Sequence, residues 1–437
     1  MTASAAAGPG VPPRLSGGLR LGVRRVYTRV YSLVLHLRAF PLRISFHRAA
    51  SRMKRISFRV GCSAAAAISA VLLASLYMTL RLFPGSFSYH CLRYAASFLG
   101  FGWCEPVAPP RVQYTFSGTD GPSLRWENDS AFWASFPCPR SAYRVWLPEA
   151  PAPDAPAPPP RDCSSLIVTA FFDIGRARWM PPFARSVSEY LGNAKTVVAT
   201  RNPMVIFTSP EHAETLVAAR RALGLMDRTL VVGFDIHCAP EAWNEPDARK
   251  AMCEPANWAG NIYLGTPERQ HPWYNVVMWM KAAFMSAAAT LPHAELQSSW
   301  VTWLDLGCHG PMCFEELKGQ CVDPAPWAPR DRLRIAQVDM VPDSVAVATP
   351  AEFVRLHRVT FAGTIFGTSR EHVRTAMDFF RDTNAVLLGR GVADTDQTVF
   401  HFMFLRQPEA FSAYHLYFND WHGVVREYMG ISSALPP

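Results

Sequence analysis

From Ser164 onward, short apolar runs rich in β-branched residues alternate with longer stretches whose apolar residues recur every three or four positions. No other feature narrows the fold as far. The runs SSLIVTAFF (164–172), MVIFTS (204–209), RTLVVGFD (228–235), SSWVTWLDLG (298–307), RLRIAQVD (332–339) and RVTFAGTIFG (358–367) have the length and composition of strands. Between and after them, residues 184–199, 211–224, 273–289, 370–383 and 394–407 carry helical periodicity. Strands interleaved with helices predict an α/β domain, a Rossmann-like α/β/α sandwich with a mostly parallel sheet. The 240–275 region, rich in Trp, Pro and Asn, reads as an irregular insertion. No internal repeat is present.

The N-terminal part is built differently. Residues 1–59 carry twelve Arg or Lys and no Asp or Glu, which accounts for a net charge of +8 over an otherwise mildly acidic chain. A nucleic-acid binder needs its basic surface on the folded module, so that class is set aside. Val60 to Leu80 is free of charge over 21 residues, enough for a helix to cross a hydrocarbon core of about 30 Å. Basic residues crowd its N-terminal side, which predicts a signal-anchor with a cytosolic tail and a lumenal domain. An Arg- and Ser-rich tail without acids also describes a mitochondrial transit peptide, the alternative location. Residues 81–160 then form a stem. Its last part, LPEAPAPDAPAPPPRD, holds seven prolines between Pro148 and Pro160 and reads as an extended spacer. The domains are therefore expected at 1–59, 60–80, 81–160 and 161–437. Asn128-Asp129-Ser130 is a glycosylation acceptor if its side is lumenal. Nine of the ten cysteines follow the apolar run, in no zinc-binding spacing, so up to four disulfides are expected without a readable pairing.

In open α/β sheets ligands sit beyond the carboxyl ends of the strands, which directs attention to Thr169 and Asp173, Thr208, Asp235 and Asp305. An acid closing a buried apolar strand, as Asp305 does, is costly unless it is paired or binds something. A divalent cation (Mn²⁺ or Mg²⁺) shared with a diphosphate would account for it; a turn-capping Asp is the plainer alternative. His422, in NDWHG, offers a second metal ligand, or is an ordinary surface histidine. Asp394 and Asp396 open a helix, where acids are favoured as caps, but one of them would serve as a base toward an acceptor hydroxyl. Asp173 and Arg176 suit a ribose, a base edge or a phosphate, and Lys281 a phosphate. Gly363 and Gly367 in FAGTIFGTS allow close backbone packing. The chain has no P-loop, GxGxxG, GxSxG or HExxH motif, so ATP hydrolysis, dinucleotide redox chemistry, serine-hydrolase chemistry and zincin proteolysis lose their usual support.

Taken together, SSLIVTAFFDIGRARW, NPMVIFTS, WYNVVMWMKAAFM, VTWLDLG and TDQTVF resemble the HtrL/YibB family over roughly residues 164–430. That family looks like a branch of the GT-A glycosyltransferases. The resemblance implies a GT-A-like fold and a metal role for Asp305. FAGTIFGTS would be an acceptor-side strand, and Asp394 or Asp396 the base region. Asp305-Leu306-Gly307 offers one carboxylate where Asp-x-Asp is usual. A basic tail, one span, a stalk and a lumenal domain is also the plan of Golgi glycosyltransferases. The expectation is a Golgi or ER membrane enzyme of hexosyltransferase type. It would move a sugar from a nucleotide-sugar to a glycan, glycoprotein or glycolipid hydroxyl. The alternatives are an inactive lumenal glycan-binding relative and a mitochondrial membrane protein.

Overall fold

The computed structural model describes residues 136, 138, 139, 142–149, 163–179, 183–254, 266–308, 317–339, 349–356, 359–416 and 423–431. The apolar run at 60–80, Asn128 and His422 lie outside them. Among the described residues no helix is long and apolar enough to cross a membrane.

The protein is a mixed α/β structure around one eight-stranded sheet, in the order β1-β4-β3-β2-β5-β7-β6-β8. The strands are β1 (Tyr143–Trp146), β2 (Ser165–Phe171), β3 (Met204–Thr208), β4 (Thr229–Phe234), β5 (Trp300–Leu304), β6 (Leu333–Gln337), β7 (Phe361–Ser369) and β8 (Phe411–His415). β4, β3, β2 and β5 run parallel, and so do β6 and β8. β1 pairs antiparallel with β4, and β7 runs antiparallel to both its neighbours. The sheet is therefore mixed rather than mostly parallel. A buried apolar run reads the same in either direction, so strand polarity was not visible in the runs themselves.

β1 precedes the proline-rich run, so the folded unit begins before residue 161. A disulfide between Cys138 and Cys238 fastens this first segment to the turn after β4, and the Tyr143 hydroxyl donates to the Cys238 carbonyl. A second disulfide, Cys163–Cys321, ties the start of β2 to the loop before β6. With separations of 100 and 158 residues, each contributes about 5 kcal/mol in the chain-entropy account. Cys253 and Cys308 are disulfide-bonded as well.

Helices cover both faces. Strand residues alternate between them: Leu166 and Val168 join one apolar layer, and Ile167 and Phe171 the other. The second layer is closed by α1 (Val187–Val198), α2 (Pro210–Ala222) and a short late helix. α1 starts at Ser186, whose hydroxyl accepts from the Glu189 amide. α2 starts with Pro210 at its first position. It ends at Gly224, whose φ of 68° lets Leu225 N–H reach back to the Arg220 carbonyl. The 240–275 insertion contributes α3 (Glu245–Cys253) and α4 (Pro267–Gln270). The first layer is dominated by α5 (Pro272–Ala289), a helix buried nearly all round. α6 (Pro350–Leu356), α7 (Val373–Gly389), α8 (Asp396–Arg406) and α9 (Val424–Tyr428, the late helix of the second layer) complete the set.

The chain steps from β2 to β3 to β4 on one side, then places β5 on the other side of β2. That reversal is a topological switch point, and in such sheets ligands bind in the crevice beyond the carboxyl ends of the flanking strands, here β2 and β5.

Candidate functional site

Three of the residues singled out in the sequence meet at this crevice. Lys281 on α5 reaches with its ammonium to Asp396 Oδ2 at 2.8 Å, Asp305 Oδ1 at 3.0 Å and the Gly363 carbonyl at 2.9 Å. A lysine ammonium has three donors, and all three are taken. Lys281 and Asp396 are almost wholly enclosed (2% and 3% of their side chains exposed), whereas Asp305 keeps 35%. Burial works against the Lys281 charge, but the Asp305 and Asp396 carboxylates outweigh it and hold the ammonium above its ordinary pKa. Burial pushes the Asp396 carboxyl up from the usual carboxylate range, with Lys281 opposing.

Backbone geometry builds this cluster. Asp396 opens α8, with Oδ1 accepting from the Gln397 amide. Gly363 on β7 is packed so closely that a Cβ there would lie 2.1 Å from Asp396 Oδ2. Between the pairs Ile335↔Phe366 and Ala336↔Ala362, β7 bulges out of register with β6, and the bulge contains Gly363 and Thr364. The Thr364 carbonyl accepts from the Asp305 amide at 2.9 Å, so the same bulge sets the end of β5. Trp303, two residues before Asp305 on the same strand face, donates its indole N–H to Asp305 Oδ1 at 2.6 Å. One oxygen of Asp305 is thus fixed by an ammonium and an indole, and its carboxylate still reaches solvent.

Beside it lies a ring cluster that the sequence did not announce. Arg176, after β2, donates to the Phe183 carbonyl at 2.9 Å and to the Tyr190 hydroxyl. Its guanidinium lies 5.4 Å from the Trp179 and Tyr190 ring centres and 5.7 Å from that of Tyr274. Trp179 stacks on His271 at 4.1 Å. Tyr190 also packs against Gly307, just past Asp305. Tyr274 stands two helical turns before Lys281 on α5, hence on the same face. A seven-residue spacing and a Trp two positions before an Asp were the available signals, and neither stands out by composition.

Other sequence candidates are placed elsewhere. Thr169 is inside β2 and wholly buried, facing the layer of α1 and α2, so it does not reach the crevice. Thr208 donates to the Phe171 carbonyl. Asp173 is exposed and accepts from the Gly175 amide, turning the chain at a glycine with φ 76°. Asp235 caps the short turn Ile236–Cys238. Asp394 accepts from Arg269, the Thr398 hydroxyl and the Thr395 amide, a structural arrangement beside the cluster.

The described donors do not fit a divalent cation. Such ions take several oxygen ligands, and among the described residues no three His, Cys, Asp or Glu side chains gather as ligands. The oxygens of Asp305 and Asp396 that face each other already hold the Lys281 ammonium. An ion on the other oxygen of Asp305 would have to share that carboxylate with the ammonium, whose charge offsets part of the attraction.

A family model described as "Bacterial protein of unknown function (HtrL_YibB)" matches residues 163–430, from the start of β2 through α9. The chain belongs to the HtrL/YibB family. It is similar to Protein HtrL of Escherichia coli (strain K12), at 25% identity over 284 residues, covering 60% of this chain and 92% of HtrL. The family region therefore contains Arg176, Lys281, Asp305 and Asp396, while β1 and Cys138 lie before it.

Proposed function

We propose that this chain is a membrane-anchored glycosyltransferase of GT-A-like fold, moving a sugar from a nucleotide-sugar to a hydroxyl on a glycan, glycoprotein or glycolipid. The observation that carries the reading is Asp305. It is an oriented, solvent-reaching carboxylate at the end of β5, at the switch point of the sheet, beside a ring-held arginine. A carboxylate accepts hydrogen bonds from sugar hydroxyls, the aromatic faces suit a base or sugar ring, and Arg176 suits a diphosphate. In the transfer the acceptor oxygen bonds to the anomeric carbon and the bond from that carbon to the phosphate oxygen breaks. The nucleoside diphosphate then leaves beside Arg176, which offsets part of its charge. Asp305 takes the acceptor's proton. Asp396, enclosed and bound to Lys281, holds that lysine in place rather than acting as the base.

The bonded state of Cys138, Cys163, Cys238, Cys253, Cys308 and Cys321 supports folding in an oxidising compartment. This agrees with a Golgi or ER lumen reached through the 60–80 run as a signal-anchor. The test is a thermal-shift screen of the detergent-solubilised full chain against UDP-, GDP- and CMP-sugars. Stabilisation by one nucleotide class, lost in Asp305→Asn and in Arg176→Ala, is the expected result. A folded protein indifferent to every donor rejects the reading. It would favour a glycan-binding relative without activity, a reading also supported by the pairing of Asp394 with Arg269 and of Asp396 with Lys281.

A further inference from the structure

Lys281 is the anomaly of α5. Its neighbours Trp279, Met280, Ala282, Ala283 and Phe284 are all buried, and a charged side chain in such a helix is retained only where partners compensate it. Its partners are two carboxylates drawn from β5 and α8, distant in sequence, and a carbonyl exposed by the β7 bulge. The ammonium sits between the carboxylates at 3.0 and 2.8 Å, the position from which a cation would bridge them. Its placement is over-determined. Trp303 turns a ring toward it at 5.3 Å, and any side chain at position 363 would displace Asp396.

We propose that the Lys281 ammonium is the built-in cation of this centre, so that the site binds its substrate without a divalent metal. The inference rests on the transferase reading of the same site and specifies its chemistry. Countercharge for a leaving diphosphate then comes from Arg176. Lys281 touches no substrate; it is a positioning residue that orients Asp305 and neutralises Asp396.

The test uses Mn²⁺ alone as probe, with the free ion followed by electron paramagnetic resonance against the detergent-solubilised full chain. Wild type and Asp305→Asn should bind Mn²⁺ equally weakly. Lys281→Met keeps the stem and removes the charge, leaving Asp305 and Asp396 to face a vacated position. It should bind Mn²⁺ at least tenfold more tightly than wild type, and the gain should vanish in Lys281→Met/Asp305→Asn. Wild-type Mn²⁺ binding that Asp305→Asn abolishes would overturn the proposal, and this comparison stands even if Lys281→Met fails to fold. A nucleotide-sugar that stabilises the wild type only with Mn²⁺ also overturns it while leaving the transferase reading intact. The absence of any nucleotide-sugar binding removes the transferase reading, and the cation's role is then decided by Lys281→Met alone: a gain in Mn²⁺ binding that Asp305→Asn cancels supports it, and a folded Lys281→Met without that gain overturns it.

Discussion

The two ends of the β2–β5 pair use similar residues and finish them differently. At the amino end, Asp323 accepts from the Ser164 and Ser165 amides at 2.9 and 2.8 Å. Asn202 donates to the Ser165 and Val322 carbonyls and accepts from the Val322 amide. Ser165, Thr302 and the Tyr428 hydroxyl form a buried chain at 2.7 and 2.8 Å. Partners face partners there, and the network closes on itself. At the carboxyl end, Lys281 and Asp396 are equally enclosed, but Asp305 ends the network at solvent beside Arg176. A polar network that closes is architecture; one that stops at an oriented, exposed carboxylate is a place for something else to bind.

That contrast can be broken by mutation. The largest effect is expected at Asp396→Ala. It strips the buried ammonium of its enclosed partner and should cost about 4 kcal/mol in chemical denaturation. A loss under 1 kcal/mol would show that the cluster's root is not built as described. Next comes acid. His401, buried on α8 against Phe353 and hydrogen-bonded through Nδ1 to Thr360, is held neutral by burial, with its pKa lowered from 6.5 to about 4. A depressed histidine contributes stability that is present above pH 6.5 and is lost as pH falls toward 4. Roughly 3 kcal/mol should disappear over that window, and His401→Gln should flatten the dependence. The unfolding free energy from pH 7 to 4 measures it.

Smaller, and at the closed end, Asp323→Ala should cost about 2 kcal/mol by removing two amide partners, with ligand binding unchanged once folded. Smallest in stability is Asp305→Asn, about 1 kcal/mol, because the amide oxygen still accepts from Trp303 and Lys281 although the buried ammonium loses one of its two countercharges. The same substitution should remove nucleotide-sugar stabilisation. If Asp305→Asn unfolds the protein, or Asp323→Ala abolishes binding without unfolding it, the division between the two ends fails.

Much of this arrangement could be read before the fold was seen. Alternation placed β2 to β7 and α1, α2, α5 and α8 within a few residues, and α7 without its last six, because apolar period and length are local properties. β1 escaped: YRVW is four residues at a sheet edge with only Tyr143 buried, too short to show a period. β8 escaped likewise, with Phe411 and Tyr414 buried, the two residues between them half-exposed and His415 exposed. In the site, Asp305, Arg176, Lys281 and Asp396 each stood out by residue type and position. Their grouping did not, since Lys281 and Asp396 are 115 residues apart. Asp394 and Asp396 looked interchangeable at one helix start; only packing sent one to Arg269 and the other to Lys281.

The sequence by itself determined the α/β class, most of the elements and the short list of polar residues near strand ends, since these follow from periodicity, propensity and the cost of burying charge. The tertiary structure alone decided strand direction, the switch point between β2 and β5, and which carboxylate meets the ammonium and which meets solvent. Those depend on contacts between residues far apart in the chain, where a bulge of a few residues and a glycine without a side chain set distances of 3 Å that no local pattern encodes.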